Sequence, residues 1–350
     1  SATPGVKVEI TGAEGNVTNL GEISAEAGRI GIAGVVLKNA GRINASSVVA
    51  EGGRVFLRAT KKIELTDSSK VGADGTAGGS VTAIVAEGGR ISGELIAAGE
   101  ISAQGGGFVE TSAAKVGVAD DFRVATGGGQ WLIDPIDFTI ASGSGGQTTS
   151  GIGATTLQTN LASTSVTIQT DPTTGGNGDI FVDAPVSWSS ANSLTLQAHR
   201  NIDVNASITS SGSGTITLQA DGISPDGVGK IQRGSSGNVI SQAAGTVTLR
   251  AGNGIKATVN GANNILDAQT TSGSIELEHS SGTLAINNAT AFQSLSLSGG
   301  ILTGSGTITV STGGTFSWNN GAFDATAAAV FETLSGVTTT GTLGVLGANR

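Results

Sequence analysis

Aliphatic and polar residues alternate in short segments through the second half of the chain. In each segment a Ser or Thr is followed by aliphatic, polar, aliphatic and polar residues. The segments begin at Ser165, Ser193, Thr215, Thr246, Ser274, Ser294 and Thr307. A period of two is typical of a β-strand with one buried face. Recurrence of the same strand every 13 to 31 residues predicts a stacked repeat rather than a closed globule.

The first part of the chain repeats a different unit, Gly-Arg-aliphatic. It begins at Gly28, Gly41, Gly53 and Gly89, at spacings of 13, 12 and 36 residues. About twelve residues make one short strand and one tight turn. Glycine suits turns in which stacked backbones approach closely. No stretch carries a helical apolar stripe with caps.

These patterns together predict an all-β fold, a right-handed parallel β-helix. At roughly 20–24 residues per coil, the chain would form about 15–17 coils. A β-propeller and tandem β-sandwiches are the alternatives. Propeller blades would need longer units with recurrent aromatic residues, and only 3% of this chain is aromatic.

Composition divides the chain once. Residues 1–140 form a first β-helix stretch with the Gly-Arg-aliphatic units, and 155–350 form a second with the Ser/Thr-aliphatic strands. Between them, 141–154 is rich in Gly, Ser and Thr and is predicted to be a loop or insertion.

Charge and cysteine content exclude several classes of protein. The chain has no Cys, which excludes disulfides and thiolate metal sites. Its net charge is −9, and no basic patch with interleaved aromatic residues is present, so nucleic acid is not an expected partner. No apolar run approaches the length of a membrane span, and no signal peptide opens the chain.

Several phrases resemble those of two-partner-secretion exoproteins, a family that includes the filamentous haemagglutinins and the high-molecular-weight adhesins. GGGFVETSA at 105–113 and GGGQWLIDPIDFTI at 127–140 are the most similar, and WLIDP is the most specific part. The segments 16–32, 40–65 and 157–208 also resemble the family. The likeness covers nearly the whole chain and weakens after about Ile301.

The resemblance implies a non-enzymatic, extracellular β-helical shaft at the bacterial surface. It also implies export across the outer membrane through a partner pore, and a host or neighbouring-cell glycan or receptor as ligand. The family's Asn-Pro-Asn-Gly secretion motif is absent, so an interior or processed piece of a longer exoprotein is expected. The alternatives are a glycan- or receptor-binding module without self-assembly, and a polysaccharide-active enzyme.

Two carboxylate clusters are candidates for chemistry. Asp120 and Asp121 are adjacent, and Asp134 and Asp137 flank a Pro. Either cluster could be a glycosidase or lyase pair, because paired carboxylates cleave glycosidic bonds. The competing interpretation is that Asp134 and Asp137 form a turn with local hydrogen bonds. The turn is favoured, because no basic partner lies nearby in sequence, so no catalytic residue is predicted.

No metal or cofactor is predicted either. His199 and His279 are isolated and make neither a triad nor a zinc site. The segment GGNGDIFVD at 175–183 is similar to a calcium-binding nonapeptide repeat, but that repeat works only in tandem and occurs once here.

Two further kinds of surface site are considered. Trp188 and Trp318 could stack on sugar rings if exposed, whereas Trp131 is expected to pack inward. Sheltering a turn is the alternative for Trp188 and Trp318. N-x-S/T sequons occur about as often as chance predicts, and glycosylation there is a hypothesis. Their asparagines are Asn16, Asn44, Asn205 and Asn288.

The ends of a β-helix expose unpaired strand edges that recruit other chains unless they are capped. The residues around Val8 already form a strand pattern, and the tail is apolar and rich in hydroxyls. Head-to-tail stacking into a homopolymer is therefore expected, unless the chain was cut from a longer shaft. The predicted assembly end is formed by Leu343, Val345 and Leu346.

Overall fold

The computed structural model describes residues 7–11, 15–49, 51–143, 150–171, 175–222, 225–235, 238–320, 322–324, 330–333, 338–341 and 344–346. The protein is nearly all β, with 59% strand and 3% helix, and its strands pair in parallel as in a parallel β-helix solenoid. The predicted fold class is thereby confirmed. The chain divides into two compact units, Ser1–Ile180 and Phe181–Arg350.

The first unit is built from short strands and one helix. In chain order the strands are β1 (Lys7–Thr11), β2 (Asn16–Asn19), β3 (Glu22–Ser24), β4 (Arg29–Asn39), β5 (Arg42–Asn44), β6 (Arg54–Leu65), β7 (Lys70–Gly72), β8 (Ser80–Glu87), β9 (Arg90–Ile91), β10 (Glu94–Ala97), β11 (Glu100–Ser102), β12 (Phe108–Ser112), β13 (Lys115–Val118), β14 (Arg123–Ala125), β15 (Gln130–Asp134), β16 (Phe138–Ala141), β17 (Gly151–Gly153) and β18 (Ser165–Gln169). The helix is α1 (Ala154–Leu161).

The second unit follows from strand β19 (Ile180–Val182), which begins at the division between the units. Its further strands are β20 (Val186–Trp188), β21 (Leu194–Ala198), β22 (Ile202–Val204), β23 (Ile208–Ser210), β24 (Ile216–Ala220), β25 (Ile231–Arg233), β26 (Ile240–Gln242), β27 (Thr246–His279), β28 (Gly282–Ile286), β29 (Thr290–Leu297), β30 (Ile301–Thr303), β31 (Thr307–Trp318), β32 (Ala322–Asp324), β33 (Val330–Thr333), β34 (Thr338–Gly341) and β35 (Gly344–Leu346).

One parallel ladder runs through the first unit and sets the length of its coils. It joins β1, β4, β6, β8, β12, β15 and β18, and successive partners lie 22, 25, 26, 28, 22 and 35 residues apart. The predicted 20–24 residues per coil is therefore too few for most coils of this unit. The predicted total of about 15–17 coils is too many at this spacing. The corners take up the extra residues, for example in the antiparallel β8–β9 hairpin and in α1.

The core consists of side chains stacked in register along these ladders. One stack in the first unit contains no residue more than 1% exposed, because alternate positions of every strand point inward. Its members are Ile30, Val55, Val81, Val109, Trp131 and Val166. In the second unit, Leu194, Ile216 and Val247 align in the same way. Strand β27 pairs with β24, β25 and β26 in turn, so this one strand carries a whole coil.

A second ladder in the first unit, formed by β3, β5, β7, β11 and β14, ends against α1. Asn160 on α1 accepts a hydrogen bond from the Val124 backbone N–H at 2.7 Å and donates one to the Phe122 carbonyl at 3.0 Å. Thr164 Oγ1 accepts from the Thr126 N–H and donates to the Val124 carbonyl. Side chains thus satisfy the edge of β14 where another strand would otherwise be needed.

The helix was not predicted, because eight residues are too few to show an apolar stripe. Within the described residues, no helix has the length and apolarity to span a bilayer. The predicted insertion at 141–154 contains β17 and the first residue of α1, and its residues 144–149 lie outside those described. The compact units divide after Ile180.

Candidate functional site: the outer face of the first unit

The carboxyl of Asp134 is the most perturbed acid in the first unit. Asp134 ends β15 and pairs in register with Ser112. Its Oδ1 is buried and has no hydrogen-bond partner among the described residues. Burial, followed by repulsion from Asp171 and Glu110, raises the pKa of Asp134 to about 7. A carboxyl of this kind is partly protonated at neutral pH and is chemically suited to act as a general acid.

Asp137, the expected partner of Asp134, has a different role. Its Oδ1 accepts hydrogen bonds from the backbone N–H groups of Asn177 at 3.2 Å and Asp179 at 2.9 Å. The Asp179 carbonyl in turn accepts from the Phe138 N–H at 3.0 Å. Asp137 therefore secures a neighbouring loop. The predicted hydrogen-bonded turn is correct in kind, but its donors lie some forty residues away rather than locally.

Asp120 and Asp121 lie beside a groove of about 710 Å³ on the flank of the first unit. Asp121 is exposed and Asp120 is half-buried. The groove also contains the basic residues Lys70, Lys115 and Arg123. The Asp120 carbonyl accepts a hydrogen bond from Thr156 of α1 at 2.5 Å, so this corner is fixed by the helix. The two carboxylates are solvated, and Asp134 is not among the residues that line this groove.

The remaining polar candidates are the two histidines and the segment 175–183. His279 is fully buried, with Nδ1 2.7 Å from the Val259 carbonyl oxygen and Nε2 3.3 Å from that of Gly282. His199 is half-buried just after β21. Within 175–183, Asp183 accepts a hydrogen bond from Asn205 at 2.8 Å. In the part of the chain that the structure describes, no group of three or more acidic or His side chains could hold a metal ion.

The tryptophans are all buried. Trp131 points inward as predicted, and its Nε1 donates to Thr111 Oγ1 at 3.0 Å. Sugar stacking by Trp188 and Trp318 required exposed rings, and these two side chains are only 6% and 2% exposed. Trp188 Nε1 donates to the Asn192 carbonyl at 2.8 Å. The Trp318 ring contacts Phe316 edge-on, with the ring centroids 5.6 Å apart.

The four sequon asparagines differ in their surroundings. Asn16 opens β2 and is exposed, and Asn44 is half-buried with its Oδ1 accepting from the Ser46 N–H. Asn205 and Asn288 donate their amide N–H groups to Asp183 and Asp267, at 2.8 and 3.2 Å. Glycosylation at all four stays a prediction.

The predicted assembly end lies partly outside the described residues. Leu343 is among those not described, whereas Val345 and Leu346 belong to β35. In that strand Val345 pairs in register with Phe323, and Leu346 with Asp324.

Sequence reasoning missed the most exposed chemistry of the first unit. Strand β6 begins Arg54-Val55-Phe56-Leu57-Arg58, and the even-numbered residues are exposed while the odd-numbered ones are buried. An alternating Arg-Phe-Arg pattern on the solvent side of a strand is the signal that could have identified it. Comparisons of the chain with protein-family models, with curated proteins and with solved structures find no match.

Proposed function

We propose that this chain is a non-enzymatic, extracellular structural or adhesive protein whose β-helical coils form part of a surface shaft. The observation that carries the proposal is the parallel ladder of the first unit, in which one core position repeats through the six strands β4, β6, β8, β12, β15 and β18 and leaves the alternate positions facing solvent. Such an arrangement supplies stiffness and a long binding surface without requiring an enclosed site.

The phrases shared with two-partner-secretion exoproteins support the same proposal, and they extend it to export through an outer-membrane pore. The hydrogen bonds of Asp137 add support, because one member of the candidate carboxylate pair accepts from backbone N–H groups. The ligand in this proposal is a glycan or receptor on a host or neighbouring cell.

Self-assembly is the second part of the proposal. In a parallel ladder every strand offers one edge to the coil before it and the other edge to the coil after it. The edge of one copy is therefore chemically complementary to the opposite edge of another, and repeated contacts of this kind build a filament. Electron microscopy of native material across a range of concentrations tests this. Fibres that lengthen with concentration support it, and separate particles at every concentration contradict it.

A polysaccharide-active enzyme is the rival function, and Asp134 is the observation that favours it. A carboxyl with a pKa near 7 beside Glu110 and Asp171 is the kind of acid that glycosidases use. The rival predicts that the protein shortens a polysaccharide and that Asp134→Asn abolishes the shortening. Our proposal predicts unchanged polymer length with both proteins.

A further inference from the structure

We propose that the outer face of β6 binds a polysaccharide that carries carboxylate groups, a polyuronate, through Arg54, Phe56 and Arg58. This inference rests on the proposed adhesive function and names its ligand class and its surface. The three side chains are exposed, whereas Val55, Leu57 and Ala59 between and beside them are at most 1% exposed. The strand therefore directs its whole Arg-Phe-Arg series to solvent.

Phe56 provides an apolar platform on this face. Its side chain is 44% exposed, and it is the only aromatic residue among the exposed large apolar side chains in the described part of the chain. Its register neighbours are Gly31 on β4 and Thr82 on β8, both small. The ring is thus not covered along the sheet, and the C–H face of a sugar ring can lie on it.

The arginines provide the cations of this face. Arg29 on β4 is the register neighbour of Arg54, so two like charges lie on adjacent strands. The two strands are about 4.8 Å apart. Like charges directly opposite each other destabilise a sheet. Within the described residues, neither of these arginines nor Arg58 forms an ion pair, although Glu51 lies beside the first two around a depression of about 400 Å³.

The other charged ladder of the same unit shows the contrast. There the residues in register are Glu22, Arg42, Lys70, Glu100 and Arg123. An acid therefore lies on each side of the neighbouring cations Arg42 and Lys70. The face of β6 has no such acid at the corresponding place, and an external carboxylate would supply it. The planar fork of a guanidinium fits a carboxylate with two parallel hydrogen bonds.

The spacing favours a polymer over a single sugar. Arg54 and Arg58 are four residues apart on one strand, about 13 Å, with the Phe56 ring between them. A chain of acidic sugars can reach both guanidiniums while one ring stacks on Phe56. Single-stranded nucleic acid is disfavoured, because this face has one exposed ring rather than a series on which successive bases could stack.

Titration of labelled oligogalacturonate into the full chain tests the inference. We expect saturable binding that weakens as salt is added, and about tenfold or greater loss in the Arg54→Gln/Arg58→Gln double variant. Phe56→Ala is expected to weaken binding by about fivefold. Arg90→Gln, which removes an exposed arginine on β9, is the matched control and should stay within twofold. Circular dichroism checks that each variant is folded.

Neutral dextran fragments and single-stranded DNA are titrated alongside. The inference is overturned if oligogalacturonate does not bind, if the double variant binds it as well as the wild type, or if dextran or DNA binds more tightly. The length of the oligogalacturonate is measured after each titration. Failed binding with intact polymer removes this inference alone, whereas shortened polymer removes the proposed non-enzymatic function.

Discussion

Asn160 meets the backbone of Val124 as a neighbouring strand would. The carboxamide oxygen accepts the Val124 N–H at 2.7 Å, and the carboxamide nitrogen donates to the Phe122 carbonyl at 3.0 Å. In a parallel ladder, one residue of the adjacent strand makes this pair of bonds with the residues on either side of its partner. A single side chain on α1 therefore continues the β3–β14 ladder by one step.

Replacing Asn160 should lower the free energy of unfolding of the first unit. In Asn160→Ala, the buried Val124 N–H and Phe122 carbonyl lose their partners, at a cost of about 2–4 kcal/mol in the free energy of unfolding of the first unit. Hydrogen exchange at the Val124 amide should accelerate more than exchange in β12. Thr155→Ala removes an exposed side chain on the same helix and should leave both quantities unchanged within about 0.5 kcal/mol. Equal effects of the two substitutions would refute the strand-like role.

The ion pair between Arg233 and Glu278 is expected to stabilise the second unit. The Arg233 side chain is 8% exposed, and its two terminal nitrogens contact the two carboxylate oxygens at 2.5 and 2.8 Å. Glu278→Gln leaves this guanidinium without its anion and should cost about 1–3 kcal/mol by urea unfolding, since the Glu278 side chain is 43% exposed and partly screened.

The pair Lys256 and Glu276, on the same strand β27, serves as the control. Both side chains are more than 40% exposed, so Glu276→Gln should cost at most about 1 kcal/mol. The hydrogen bond from Arg233 lowers the pKa of Glu278. The stabilisation that Glu278 gives the folded state is therefore present above its unfolded pKa of 4.5 and is lost as the pH falls through its lower folded pKa. An equal loss in both variants would contradict this account.

Asp134 should make the first unit less stable as the pH rises. The folded carboxyl has a pKa of about 7 against an unfolded value of 3.8, so the folded state binds the proton more tightly. Stability is full below about pH 4, falls through the folded pKa, and is then constant, with a total loss on the order of 2–4 kcal/mol. Asp134→Asn should remove this slope. A pH profile of the variant parallel to that of the wild type would show that Asp134 titrates normally.

Gly41 and Gly21 differ in how closely the backbone of another coil approaches them. A Cβ on Gly41 would collide with the Gly21 carbonyl oxygen of the neighbouring coil, whereas a Cβ on Gly21 meets nothing within 4 Å. Gly41→Ala should therefore lower the thermal midpoint of the first unit by several degrees, because the clash is with backbone that cannot move independently. Gly21→Ala should leave it unchanged. The reverse order would show that coil packing does not require Gly41.

Much of the fold is predictable from sequence because strand alternation is a local property. The inward stack from Ile30 to Val166 follows from period-two patterns and needs no tertiary information. Coil length is not local, since a corner can hold a hairpin such as β8–β9 without disturbing the ladder. Helix α1 escaped prediction because its eight residues are too few to show an apolar stripe, and its hydrogen bonds through Asn160 go to residues nearly forty positions earlier.

The site was predictable only in part. Asp137 was expected to make turn hydrogen bonds, and it does, but its donors depend on how the loop at 175–179 folds back. Exposure of Trp188 and Trp318 was one of two alternatives, and both residues occupy inward positions of their strands. Phe56 lies one position out of phase with its buried neighbours, and that phase was visible in the sequence.

The chain length of polysaccharides after incubation with the protein tests the central claim most directly. A panel of acidic and neutral polymers would be incubated at pH 5 and pH 9, on either side of the Asp134 pKa of about 7, and sized by light scattering. A structural and adhesive protein leaves every length distribution unchanged while retaining its ligand. Shortening of any polymer by the wild type, lost in Asp134→Asn, would contradict the account and identify an enzyme.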